Sequence, residues 1–115
     1  MVQELRTERA SLRKDIPATR VRILGDGRDM FGFARNISRT GMMVHTAGLC
    51  RIGEEMSIEF DLPALGMNIK CRYRIVWRQV QGPMSGTARE GLKFLDLDPI
   101  SADSIDRWIQ SSPDN

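Results

Sequence analysis

Histidine and cysteine are almost absent from this 115-residue chain, which holds one histidine, His45, and two cysteines, Cys50 and Cys71. The cysteines lie far apart with no CxxC, so no cluster has the spacing of a metal site. A lone histidine, without an HExxH or a nucleophile elbow, leaves little material for acid–base or covalent catalysis. An enzyme is therefore not expected, nor a cofactor. Aromatic residues make up only 6%, too few to build the exposed stacking platforms of a single-strand nucleic-acid binder. No apolar run approaches the roughly 18 residues of a membrane span. The opening MVQELRTERASLRKD has no apolar segment suited to secretion, so the expectation is a cytoplasmic protein. A dominant charge is missing as well. Seventeen Lys and Arg against 15 Asp and Glu leave +2, too small a surplus for non-specific binding to nucleic acid.

What is present is an ordinary globular composition, 41% hydrophobic and 28% charged, at a length that buries one core. Period-two alternation fills the middle of the chain. Arg20-Val21-Arg22-Ile23 and Met56 to Leu62 place apolar residues at every second position, the mark of strands with one buried face. In the longest run Ile69, Cys71, Tyr73, Ile75 and Trp77 share one face, and Lys70, Arg72, Arg74 and Arg78 the other. That phase makes Trp77 a core residue and Cys71 a small buried hydrophobe. Phe31 to Ile37, Met42 to Thr46 and Leu92 to Leu97 are further strands. Gly25-Asp26-Gly27, Ser38 to Gly41, Leu62 to Gly66 and Gly82 to Gly86 are turns. About six short strands joined by tight turns fit a small antiparallel barrel or sandwich. After Pro99, Ser101 is placed to cap a closing helix whose Ile105, Trp108 and Ile109 cover one end of the sheet. Residues 1–15 carry seven charges and read as an exposed arm. Residues 16–110 form the barrel with its helix, and 111–115 a tail.

Charge is distributed unevenly. From Asp96 onward five acids face one base, Arg107, so positive charge is concentrated before that point, and fourteen of the 17 bases are Arg. Two short elements are left over from packing. Arg9 and Arg13 stand four residues apart in the arm, a spacing that brings two guanidinium forks to one side of a turn, where they converge on a multiply charged anion. Arg35 and Arg39 have the same spacing. In Asn36-Ile37-Ser38-Arg39-Thr40-Gly41, Asn36 offers donors and an acceptor, Ser38 a hydroxyl, and Gly41 permits a positive φ or a close backbone approach. These residues suit a purine edge or a phosphate, and equally a plain strand-to-strand turn.

An RxxxR followed a little over 20 residues later by [DN]xSxxG inside an all-β chain resembles the PilZ domain family, the bacterial receptors for cyclic di-GMP. Ile75-Val76-Trp77-Arg78 is similar to the family's late strand ending in an aromatic, and Gly91-Leu92-Lys93-Phe94 to its glycine-led final strand. The resemblance implies an all-β, six-stranded antiparallel barrel with an N-terminal arm and a C-terminal helix. It also implies a cyclic di-GMP site in which Arg9 and Arg13 contact phosphates and guanines, Asn36 and Ser38 hydrogen-bond the ligand, and Gly41 shapes the loop. Arg39 is a further phosphate contact on this reading, and Trp77 a border to a guanine. Asn36 stands where many members have Asp, which replaces a carboxylate acceptor by a neutral amide. Glu8, where many relatives carry a base, disfavours a second stacked ligand.

The implied function is a receptor whose arm changes conformation on binding cyclic di-GMP and signals to a protein effector. Two other readings compete with it. One is a nucleic-acid-binding barrel using the face of Lys70, Arg72, Arg74 and Arg78. The other is an interaction adaptor of the same fold that binds no nucleotide, against which the intact RxxxR and NxSxxG stand.

Overall fold

The computed structural model describes residues 13–25, 27–48, 50–80 and 87–111. Five strands form where the alternation foretells them, β1 (Lys14–Gly25), β2 (Arg28–Ile37), β3 (Gly41–Thr46), β4 (Glu55–Leu62) and β5 (Met67–Val80); the last, β6 (Ala88–Phe94), begins four residues before the expected Leu92 and ends at Phe94, not Leu97. Every neighbouring pair is antiparallel, in the order β1-β2-β3-β6-β5-β4, and β4 pairs back onto β1 to close a six-stranded barrel. Closure removes the exposed sheet edges that invite association. Gly27, at φ 71°, occupies the left-handed region that the short β1–β2 hairpin demands. Lys14 opens β1 two residues inside the stretch expected to be arm. Arg13 is described as well, and residues 1–12, Arg9 included, lie outside the described residues.

The inward faces form one core. Val21, Ile58, Ile69, Tyr73 and Ile75 are fully buried, and Cys71 joins them as expected, its thiol pushed up to about 12 by burial. A closing helix, α1 (Pro99–Ser111), adds Ile105 and Ile109 to the same cluster. Each such side chain contributes about 1.5–3 kcal/mol on burial, enough to hold the helix over one end. Its cap differs from the expectation. Asp98, not Ser101, caps the helix: its Oδ1 accepts from the Ser101 amide at 3.0 Å and its Oδ2 from the Ser101 hydroxyl at 2.6 Å. Pro99, with φ preset for a first helical turn, starts the helix three residues earlier than a Ser101 cap would.

Besides an irregularity between Asp15 and Thr19 in β1, two β-bulges override the simple alternation. In β2, Ala34 pairs with Val44 and Asn36 with Met43, leaving Arg35 as the extra residue; in β5, Ile75 pairs with Leu92 and Trp77 with Gly91, leaving Val76. An extra residue reverses the parity of everything beyond it. Trp77 is thereby turned out of the core and is 43% exposed, correcting its expected burial with Ile75. Arg78 is turned inward for the same reason, onto the buried carboxylate of Glu90, with Nε to Oε2 at 2.8 Å. It does not share a face with Arg74.

The register also answers the idea of a basic strand face. Strand β4 sets Glu55 opposite Arg74 and Glu59 opposite Lys70. Glu55 takes both Arg72 and Arg74, the latter at 2.5 Å, and Lys70 lies 3.9 Å from Glu59. The hydrogen bond from Arg74, ahead of the field of Arg72, holds the Glu55 carboxyl below its ordinary value. Three cations of that stripe meet two carboxylates, Glu55 being shared, so most of the charge that a phosphate backbone would need there is already paired.

Candidate functional site

The two bulges fall on one register row. Across four adjacent strands, Asn36, Met43, Gly91 and Trp77 are successive partners, and Asp15 of β1 pairs with Asn36 at the near end. On either side the partners point inward: Ala34 and Val44 above, Ile37 and Met42 below, all buried. The bulges thus turn a continuous outer row out from between two core rows, and the row carries the polar and aromatic groups that sequence reasoning singled out.

At the near end Arg13 and Asn36, 23 residues apart in sequence, meet: Arg13 Nη1 donates to Asn36 Oδ1 at 3.1 Å. This contact joins the second arginine of the RxxxR to the first residue of NxSxxG. Beside it opens a groove of about 380 Å³ lined by Asp15, Arg35, Asn36, Met43, His45 and Arg89 among others. Among the described residues neither Arg35 nor Arg89 has a carboxylate partner, whereas Arg22, Arg28, Arg72, Arg74 and Arg78 each have one. Arg20, Arg51 and Arg107 also have no carboxylate partner among the described residues, so what sets Arg35 and Arg89 apart is that both line this groove. Burial, then the fields of Arg35 and Arg89, lower the His45 imidazole below its ordinary value near 6.5, so it is neutral at pH 7.

The remaining motif residues shape this row from beneath. Ser38 is fully buried. Its oxygen accepts from the amides of Thr40 at 3.2 Å and Gly41 at 3.3 Å, and its own amide donates to Gly41 O at 2.8 Å. The turn is bolted to the sheet end by Phe94 N donating to Thr40 O at 2.8 Å. Gly41 supplies the close approach rather than a positive φ: a Cβ there would lie 1.9 Å from the Leu92 carbonyl oxygen. Arg39 leaves the row and reaches α1, with Asp103 and Asp106 each 3.4 Å away. At the far end the Trp77 indole lies over Gly91, where an added Cβ would sit 2.0 Å from Nε1. Gly91, in the middle of β6 rather than at its head, is therefore a seat for the tryptophan.

His45 and Arg89 were not singled out from the sequence. They are direct cross-strand partners, but partnership between residues so far apart leaves no trace in a single sequence.

The chain matches the PilZ domain over residues 7–111. It belongs to the PilZ domain family. Solved structures share this barrel. The inhibitor of motility MotI/DgrA of Bacillus subtilis superposes with a TM-score of 0.73 at 17% identity, over 88% of this chain and 49% of that one. The PilZ domain of Escherichia coli YcgR with c-di-GMP gives 0.69 at 17% identity and 88% of both chains. YcgR in complex with c-di-GMP gives 0.70 at 18% identity, over 88% of this chain and 44% of that one. This PilZ chain thus spans about half the length of two of these three relatives. No curated protein matches its sequence. Among the described residues no helix is long and apolar enough to cross a membrane.

Proposed function

We propose that this PilZ domain is a receptor for cyclic di-GMP that binds the ligand on the outer row between Arg13 and Trp77. The observation that carries the reading is the hydrogen bond of Arg13 to Asn36 beside a groove whose arginines lack acids. Cyclic di-GMP offers two phosphates for guanidinium groups and two guanines whose O6 and N7 acceptors match an arginine fork. On this reading Arg13, with Arg9 from the preceding segment, grips phosphate and guanine, and Asn36 presents a neutral amide to a guanine edge. Ser38 and Gly41 hold the turn that positions Asn36. Trp77 offers an exposed ring to stack against a base. Arg39, engaged with α1, contributes to the ligand only if it exchanges those acids for phosphate.

The output is a change in how residues 1–12 meet the barrel, read by a protein effector; no catalytic step is involved. Ligand bonds that draw Arg9 onto the row beside Arg13 fix chain that costs about 1–2 kcal/mol per residue to order, so ligand and arm conformation are linked. Calorimetric titration with cyclic di-GMP, with single-stranded RNA as the comparison, tests the reading. Saturable binding of the dinucleotide alone supports it; binding of RNA alone, or of neither, overturns it.

A further inference from the structure

The PilZ motifs account for one end of the groove and leave the other unexplained. There His45 on β3 is the direct partner of Arg89 on β6, and Phe33 on β2 is the partner of His45 on its other side. Arg35 is the bulged residue of β2, so it projects from the sheet without a partner opposite it. Cross-strand side chains at such positions stand about 5 Å apart, and the fields of both arginines reach the His45 ring. Among the described residues Asp15 on β1 is the one acid lining this groove. Arg89 spends one donor, Nη2, on Gln79 Oε1 at 2.9 Å, while its Nε is buried with no hydrogen-bond partner among the described residues. A buried guanidinium N–H left unsatisfied is costly. Two guanidinium groups, neither paired with an acid, flank a neutral imidazole at one opening, and their mutual repulsion is relieved when an anion enters.

We infer that Arg35, His45 and Arg89 form a second anion subsite, which takes one phosphate of the ligand while the Arg13–Asn36 end takes the rest. The inference rests on the cyclic di-GMP reading for the identity of the ligand but not for the existence of the subsite. Arg89 and Arg35 supply the charge. His45, neutral when the subsite is empty, gains a proton more readily once a phosphate offsets the arginine fields. The subsite would make the groove select ligands with two separated phosphates over mononucleotides.

His45 is the chain's only histidine, so its ring Cε1–H gives a single, unambiguous proton resonance. Its titration is followed alone, with inorganic pyrophosphate and with cyclic di-GMP, in the wild-type protein and in Arg89→Ala and Arg35→Gln. The expected result is an upward shift of the His45 pKa with either probe in the wild type. In Arg89→Ala the shift shrinks, the unliganded pKa starts higher, and cyclic di-GMP binds roughly tenfold more weakly. Both variants should keep the wild-type amide spectrum away from the groove. If Arg89→Ala is unfolded, Arg35→Gln, at an exposed bulge, carries the test. Cyclic di-GMP that binds without moving His45, or moves it equally in the variants, removes the subsite and leaves the receptor reading standing. A pyrophosphate shift lost in the variants, with no binding of cyclic di-GMP, keeps the subsite and overturns the nucleotide. No response to either probe overturns both.

Discussion

Arg13 and Asn36 are tied by a hydrogen bond of 3.1 Å although 23 residues separate them, and the bond exists because a bulge at Arg35 turns Asn36 outward. With parity unbroken, Asn36 would face the core beside Ala34, Ile37 would face out, and the arm's arginine would have nothing to meet. Local backbone irregularity, rather than residue choice alone, is what assembles the site.

Arg13→Ala should weaken cyclic di-GMP binding on the order of 10- to 100-fold, the worth of charge-assisted hydrogen bonds of about 1.5–3 kcal/mol. The residue is exposed at the entry to β1, so the melting temperature should move little. Calorimetry for affinity and a thermal melt for stability check the two halves. Unchanged affinity would take Arg13 out of the site.

Ser38→Ala acts differently. Its hydroxyl is fully buried and accepts from two amides of the turn, which the alanine leaves unsatisfied at about 1–3 kcal/mol. The expected outcome is a Tm lower by roughly 4–8 °C per kcal/mol, with affinity, measured well below that Tm, falling less than in Arg13→Ala. Affinity lost with Tm unchanged would mean that the hydroxyl serves the ligand and not the turn.

The strands were legible because burial imposes period two, and the match held wherever the ladder was regular: Val21 and Ile23, Met56 through Leu62, Ile69 through Ile75. It failed at Trp77 and Arg78, since one inserted residue at Val76 reverses the faces without any mark in composition. The supposed basic stripe misled for a related reason. Lys70, Arg72 and Arg74 look unopposed in their own strand, and only the β4–β5 register brings Glu55 and Glu59 to them. Asn36, Ser38 and Gly41 could be picked out by type and spacing, but their division of labour could not. Whether a Ser hydroxyl faces a ligand or its own turn depends on which way the chain bends.

His45 gives the fold a pH dependence of known sign. Its imidazole is lowered from near 6.5 by burial and the arginine fields. The unfolded chain therefore takes up the proton first as pH falls, and stability drops with it. At pH well above about 6.5 the ring is neutral in both states and contributes nothing. Below the lowered value the loss is complete. His45→Gln should flatten the stability curve over that interval, measured by urea unfolding at a series of pH values, and leave it unchanged above. An identical slope in the variant would mean that other groups cause it.

Gly91→Ala tests the far end of the row. The methyl would sit 2.0 Å from the Trp77 Nε1, so either the indole or the strand must move. The indole is the softer of the two, being 43% exposed at its bulge, whereas Gly91 is held between Met43 and Trp77 in two ladders. The variant should stay folded with a modest loss of about 1–3 kcal/mol and with the Trp77 ring swung off the sheet. Intrinsic fluorescence reads this directly once the other tryptophan, Trp108, is replaced by Phe: emission should shift to the red as the ring gains water. If Trp77 borders a guanine, as the receptor reading holds, cyclic di-GMP quenches this emission in the Gly91 protein and does so less in Gly91→Ala, with weaker binding. Equal quenching and equal affinity in both would place the ligand short of Trp77 and confine the site to the Arg13, Asn36 and His45 end.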